Sequence, residues 1–491
     1  MNWMEKLHRT SLAKGLGFLF TLMPFFLSCT PTPKDVTMQN TLPPIYPDYC
    51  DVTIPENIAP LNFLLRADCE AIEVKAGGLA LNAHGNEAVF DIDDWRELMQ
   101  QSTNEKIEVT VTALKDGQWT QFAPFTWEVA SDSIDSWLTY RLIEPDYEVF
   151  QNLEIHERCI ENFEERAISS FRQVGNRCMN CHIHSRQNPD LSMMYVRGKE
   201  GGAVLNENGH LRKLDIQSPT GSSVYFDFSP TGRYAVFSTN KIIPAFHAKP
   251  EKRLEVFDSE SDVYVADLKG NRIISSPMLA DSTWFETFPT FSPDGKFIYY
   301  CTAKAIHQAK DITTLQYSLC RIPFDETTGT IGEKADTVVT AHRQPSGKTS
   351  VCHPKISPDG RFLLYSVADY GTFPIWHREA DLRMLDLQTM HIDSLALVNS
   401  PMSDTYHSWS SNSRWFVFAS KRDDGLYGKP YFCYVDKNGK VHKPFCLPQE
   451  SPTFYDNYLK SFNVPDLGQR RVNFDVKDVE RVMNTPLEPF R

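Results

Sequence analysis

The residues of this chain best suited to chemistry are Cys178-Met179-Asn180-Cys181-His182. Two thiols three residues apart can add to the two vinyl groups of one porphyrin. The histidine beside the second thiol can then take the iron as its proximal ligand. The pattern predicts covalent haem c, one per chain. Composition alone would produce roughly 0.007 accidental matches in a chain of this length. A zinc site would want a second Cys-x-x-Cys pair, and the chain has none.

The far side of the iron has several candidates. Met193 and Met194 follow the motif closely, and Asn188-Pro189-Asp190 is a turn signal that would let them loop to the other haem face. Methionine there would raise the potential, although methionine is also an ordinary filler of core gaps. His156 and His210 are alternatives, and an open iron position is a third possibility. His184 is too near the motif to reach across.

A supporting helix is expected before the motif. Ile155, Cys159, Ile160, Phe163, Ala167, Ile168 and Phe171 recur at spacings of three and four. Glu157, Arg158, Glu161, Glu164 and Glu165 fill much of the other face and read as solvated. Residues 131–194 are therefore read as a short helical haem segment.

Four segments downstream repeat: 228–238, 291–301, 356–366 and 409–419. Each reads strand, Ser-Pro-Asp-Gly-like turn, strand, with Arg233, Lys296, Arg361 and Arg414 marking the register. One such sheet cannot cover its own faces, and ring closure of several gives a β-propeller. Six blades over 195–476 are expected. Tyr195–Ile216 and Phe454–Val476 would supply the two degenerate ones, with first and last sharing strands. His353 lies eight residues before Arg361 and His407 seven before Arg414, so both are expected just ahead of the innermost strands, whose starts lie near the central channel. Facing one another at the propeller mouth they would bind a metal, a second cofactor or an acidic partner group. In the plainer reading they cap strand ends.

The flanks set the compartment. Lys6, Arg9 and Lys14 precede the apolar run Gly15–Leu27, and Ser28-Cys29 ends it. This resembles a lipoprotein signal over 1–28 with Cys29 as the lipidated residue, although Phe26 and Leu27 are bulkier than that pattern favours. Prolines 31, 33, 43, 44 and 47 predict an extended tether over 29–50. Residues 51–130 read as a β-sandwich-like domain of short alternating strands, and 477–491 as a tail. The body has no other apolar run long enough to span a membrane. A net charge of −13 argues against nucleic acid as a partner. Cys433 and Cys446 flank Lys437-Asn-Gly-Lys440. A two-residue turn there sets 433 opposite 444, so the two are expected to stay separate thiols.

The repeats resemble those of TolB and of prolyl-oligopeptidase propellers. More widely, residues from about 130 to 475 resemble exported lipoproteins of Bacteroides and related bacteria that join a Cys-x-x-Cys-His segment to a TolB-like propeller. The matching pieces are 140–145, 178–182, Leu-Glu-Val-Phe-Asp at 254–258, 370–382 and Trp-Ser-Ser-Asn-Ser at 409–413. The resemblance implies a mainly β chain in the cell envelope, anchored to the outer membrane through lipid and facing the periplasm. It assigns no reaction. Three roles are consistent with it. One is an electron-transfer or redox-sensing haem protein whose propeller docks periplasmic or membrane redox proteins. Another is an interaction lipoprotein with structural haem. The third is a haem enzyme with its site at the propeller mouth, by architectural analogy with cytochrome cd1 nitrite reductase.

Overall fold

The computed structural model describes residues 31–145, 151–249, 252–342, 345 and 347–490. The signal segment 1–28 and Cys29 lie outside them. Among the described residues no helix is long and apolar enough to cross a membrane.

Turn chemistry explains the repeats. The hydroxyls of Ser229, Ser292 and Ser357 are buried and accept the backbone N–H of Tyr234, Phe297 and Phe362 at 3.1, 2.9 and 2.9 Å. Gly232, Gly295 and Gly360 take φ of +70°, +72° and +76°, a conformation that a Cβ disfavours. In the fourth repeat Ser413 adopts φ +62° at the same place. Arg233 and Arg361 reach Asp267 and Asp386 on the next strand, at 3.3 and 3.2 Å.

These hairpins grow into six largely antiparallel sheets. Their inner strands are Ser461–Gly468, Met179–Ser185, Gly221–Phe228, Trp284–Phe291, Ser350–Ile356 and Asp404–Trp409. Each packs against the next, and Asp404–Trp409 packs against Ser461–Gly468. The result is a closed, propeller-type ring around a central channel. Hydrophobic clusters fill the gaps between neighbouring sheets. The first sheet draws on both ends of the ring. Trp137–Ile143 pairs with Glu154–Cys159 on one side and with Ser461–Gly468 on the other.

That closure overturns the helical segment. Residues 154–159 and 165–170 are strands of the first sheet, and the motif lies on the inner strand of the second. The three-and-four spacing was produced by two strands and the turn between them. The expected solvated face is partly buried: Glu157 and Arg158 are 0% and 1% exposed. Glu157 accepts from Arg166 and from the Val472 N–H, and Arg471 stands 3.3 Å away. Arg158 donates to the carbonyls of Cys159 and Pro448. Partners distant in sequence make those charges tolerable inside. The ring thus begins near Trp137, not at 195. Phe454–Val476 contributes the closing strand and not a blade of its own.

Two further corrections come from the flanks. The proline-rich stretch is not all tether. Ile45, Tyr49 and Cys50 are buried, and Ile45–Tyr46 pairs with Phe63–Leu65. The tail is folded as well. Val476–Met483 is a helix capped by Asp475, and Glu488–Pro489 joins the second sheet. Residues 51–130, joined by the strands Thr37–Met38 and Ile45–Tyr46, form a seven-stranded sheet, a three-stranded sheet and one helix, Ile92–Gln101. Their core runs on into the fifth and sixth sheets of the ring through Trp127, Phe362, Trp415 and Phe432. Asp135 secures the junction by accepting from the Ser411 N–H and hydroxyl at 2.7 and 2.6 Å. Cys433 and Cys446 are separate buried thiols, and Cys446 pairs with Tyr431 across the sheet.

Candidate functional site

Each inner strand breaks register at about the same height in the ring. The breaks lie at 180/182, 223/225, 287/290, 352/355 and 405/407, with a matching one where Ser461–Gly468 pairs with Trp137–Ile143. Such bulges re-aim a side chain out of the sheet. In five strands the bulge residue has positive φ: Cys181 (+23°), Phe288 (+48°), His353 (+52°), Tyr406 (+48°) and Val464 (+50°). These five, with Tyr225 from the remaining strand, all line one cavity of about 90 Å³ in the channel.

The cavity wall is asymmetric. Tyr225, Phe288, His353 and Tyr406 form an arc of touching rings, with successive centroids 4.2, 4.0 and 4.5 Å apart. The small residues Cys181 and Val464 complete the ring. Below the arc the channel turns polar. Lys355, Ser408, Asp466 and Ile183 line both this cavity and the next one down, where Asp227 and His184 join them. Asp466 accepts the His184 backbone N–H at 2.8 Å, and burial raises its carboxyl above the usual range.

The residue after each bulge also lines the cavity: His182, Pro289, Pro354, His407 and Pro465. The two histidines are 7% and 5% exposed. Burial pushes both imidazoles down to about 3, so both are neutral at ordinary pH. His407 Nε2 donates to the Leu364 carbonyl at 3.0 Å, on the neighbouring sheet. Neither nitrogen of His353 has a hydrogen-bond partner, and His182 only approaches the Thr139 backbone, without a hydrogen bond of ordinary geometry.

The predicted residues therefore separate. Cys181, His182, His353 and His407 share one cavity, and the last two lie within inner strands and not ahead of them. Cys178 precedes the strand and packs toward the core between the first and second sheets. Met193 and Met194 do not form a loop across the cavity. They lie on Asn188–Val196, directly paired with Ile183 and His182, and enter two different cores. Direct cross-strand neighbours, with Cβ atoms about 5 Å apart, leave no space for a macrocycle between them. His156 is engaged by Glu165 at 2.6 Å, and His210 is the exposed first residue of the strand His210–Asp215.

The donor types are those of haem c, two thiols and a neutral imidazole beside one of them, but the site as folded does not fit the macrocycle, because only Cys181 of the two thiols lines the cavity. Burial pushes the Cys181 thiol up to about 11. The packing is tight. A strand spaces Cys178 and Cys181 by about 10 Å, against about 5–6 Å on a helical turn. A planar cofactor would also need the aromatic arc to part.

Sequence reasoning missed the cover of the channel. The hairpin of Tyr234–Lys249 and Lys252–Asp267 rises from the third sheet. Glu255 on it accepts from Tyr370 at 2.8 Å and meets His377 Nε2 at 3.1 Å, while Glu379 holds His377 Nδ1 at 2.9 Å. Burial opposes charge on His377, but the two carboxylates push it up to about 9. Val256 and Phe373 pack beside Tyr225 of the cavity wall. Two of the family-like pieces, 254–258 and 370–382, meet here. Their separation in sequence hid the contact.

No family model matches the chain, and no curated protein matches it. Solved structures similar to it include the tricorn protease, at 12% identity and TM-score 0.36 over 82% of this chain and 36% of that one. Others are a Mycobacterium tuberculosis puromycin-hydrolyzing peptidase (12%, 0.35, 84% and 57%) and an oligogalacturonate lyase in complex with manganese (10%, 0.34, 62% and 72%). The chain thus spans about a third of the tricorn protease's length.

Proposed function

We propose that this chain is an exported, lipid-anchored c-type haem protein on a six-bladed, TolB-like propeller, and that it transfers or senses electrons in the cell envelope. The observation that carries this reading is the shared placement of Cys181 and His182. A thiol and a neutral imidazole without a hydrogen bond of ordinary geometry stand together on the wall of a water-poor cavity. Haem, when bound, supplies one-electron chemistry. Cys178 and Cys181 would hold it through thioethers. His182 would offer its lone pair without first losing a proton, and the aromatic arc would keep water out. Cys29 would tether the body to the outer membrane, and the outer rim of the ring would dock periplasmic or membrane redox proteins.

A haem stain on a denaturing gel tests the assignment. Stain is expected on the wild-type band and absent from Cys178→Ala/Cys181→Ala; stain surviving the double change would sink it. Cys29→Ser should release the protein to the soluble fraction and end palmitate labelling.

One observation favours a second reading. Cys181-His182 occupies the place held by Phe288-Pro289, His353-Pro354 and Val464-Pro465 in other blades, so the pair also suits a plain structural wall. In that reading the chain is a TolB-like interaction lipoprotein, and the wild-type band takes no stain.

A further inference from the structure

We infer that the cleft between the third and fourth sheets of the ring is a binding site for an organic ammonium ion, a role independent of the haem reading above. The cleft has a volume of about 580 Å³ and shares no lining residue with the channel cavity. Its fourth-sheet wall follows from strand alternation. Trp284 and Glu286 stand on one face of Trp284–Phe291, and Phe285 between them enters the core on the other. On the next strand Lys304 and Thr302 are their direct partners, and Tyr300 follows on the same face. The opposite wall is the loop that carries Met278 and Asp281. It is pinned to the third sheet by the Val263 N–H, which donates to the Leu279 carbonyl at 2.7 Å.

Glu286 gives this cleft its chemistry. It is 3% exposed, and its Oε2 is buried without a hydrogen-bond partner. The charges that act on it are those of Asp262 and Asp281, both acids. Burial, and then these carboxylates, push it up to about 8, so the fold leaves it protonated. Asp281 is served instead by the Thr283 N–H and hydroxyl, at 2.9 and 2.8 Å, which hold its carboxyl below the usual range. Asp262 accepts from the Tyr264 hydroxyl at 3.3 Å. Tyr300 and Cys320 on the wall are pushed up by burial and stay neutral, while Lys304 and His342 stand at the exposed rim. A buried acid among acids lacks both a donor and a positive charge. An ammonium group supplies the two together. Trp284 and Met278, 45% and 39% exposed, offer an apolar surface to the carbon chain behind it, and an indole face also attracts cations. A bare metal ion fits less well, because among the described residues no three histidine, cysteine or acidic side chains converge on one point.

The test is titration calorimetry of the full-length protein with cadaverine, an alkyl diammonium, and with the diol of the same chain length. Cadaverine should bind and the diol should not. At pH ~7 binding should release close to one proton, because the ammonium draws Glu286 into its charged form. The release is read as a heat that changes with the ionisation enthalpy of the buffer. Glu286→Gln, nearly isosteric and checked for folding by circular dichroism, should weaken binding at least about tenfold and end the proton release. Trp284→Ala, at an exposed position, should weaken binding about two- to fivefold and leave the proton release intact. Equal binding of diol and diamine would make the cleft a polyol site and overturn the assignment. Proton release that survives Glu286→Gln, or no heat up to ~10 mM cadaverine, would overturn it as well.

Discussion

The inner strands Met179–Ser185 and Asp404–Trp409 follow the same course. Each crosses the channel wall, breaks register at one residue with positive φ, and places a histidine next. Both histidines are buried and held neutral by that burial. They differ in one bond. His407 Nε2 donates to a carbonyl of the adjacent sheet at 3.0 Å, and His182, in the same place, only approaches the Thr139 backbone and makes no hydrogen bond of ordinary geometry. An unsatisfied buried polar group costs about 1–3 kcal/mol. One histidine thus repays its burial within the fold, while the other, with a thiol beside it, is left available to a ligand.

The largest expected effect removes the frame that makes the two strands comparable. Glu157 neutralises Arg166 and Arg471 in the ring-closing sheet. Glu157→Ala should cost about 2–4 kcal/mol in denaturant unfolding, since it leaves the Val472 N–H and the partly buried Arg166 guanidinium without their acceptor. A loss below ~1 kcal/mol would mean that water or another acid replaces it.

Next comes the comparison itself. His407→Leu should destabilise the cofactor-free protein by about 1–3 kcal/mol, because the Leu364 carbonyl loses its donor. His182→Leu should be nearly neutral or stabilising, since it removes a group without an ordinary hydrogen bond. Equal losses in the two variants would show that His182 has a partner after all.

Acid should act on both strands together. Their imidazoles titrate near 6.5 when unfolded and about 3 when folded. The stability tied to their neutral form is complete above pH ~6.5 and is lost as pH falls toward 3. The wild type should lose stability over that window, and each leucine variant should lose less. Histidine proton resonances that titrate normally near pH 6.5 at both sites would contradict this.

The smallest effect concerns the cover. His377 has the opposite sign, with a folded value of about 9. Its contribution is full below pH ~6.5 and fades as pH rises through 9. Proteolysis or hydrogen exchange in the hairpin 234–267 should quicken between pH 8 and 10, and His377→Gln should flatten that dependence.

Part of this was readable from local signals. The Ser-Pro-Asp-Gly turns announced strand pairs and a ring, because a turn's chemistry lies within four residues. The placing of His353 and His407 shortly before the repeated turns pointed to the channel, because a repeat carries its geometry with it, although His353 stands at the bulge and His407 one residue after it. The run from Ile155 to Phe171 misled, because two short strands and a turn can imitate helical spacing when both faces of a hairpin are covered. Tyr49 and the helix Val476–Met483 were missed because their packing partners lie far along the chain.

The sequence by itself determined the elements whose causes are local: the tight turns, the alternating strands, and the thiol–imidazole pair with its chemical capacity. Tertiary structure alone decided that Ser461–Gly468 closes the ring beside Trp137–Ile143, that Glu157 and Arg158 go inside, and that Cys181 and His353 face one another. Those outcomes depend on strand pairing and ring closure between residues hundreds of positions apart. No local propensity encodes which distant edge will satisfy a strand's hydrogen bonds.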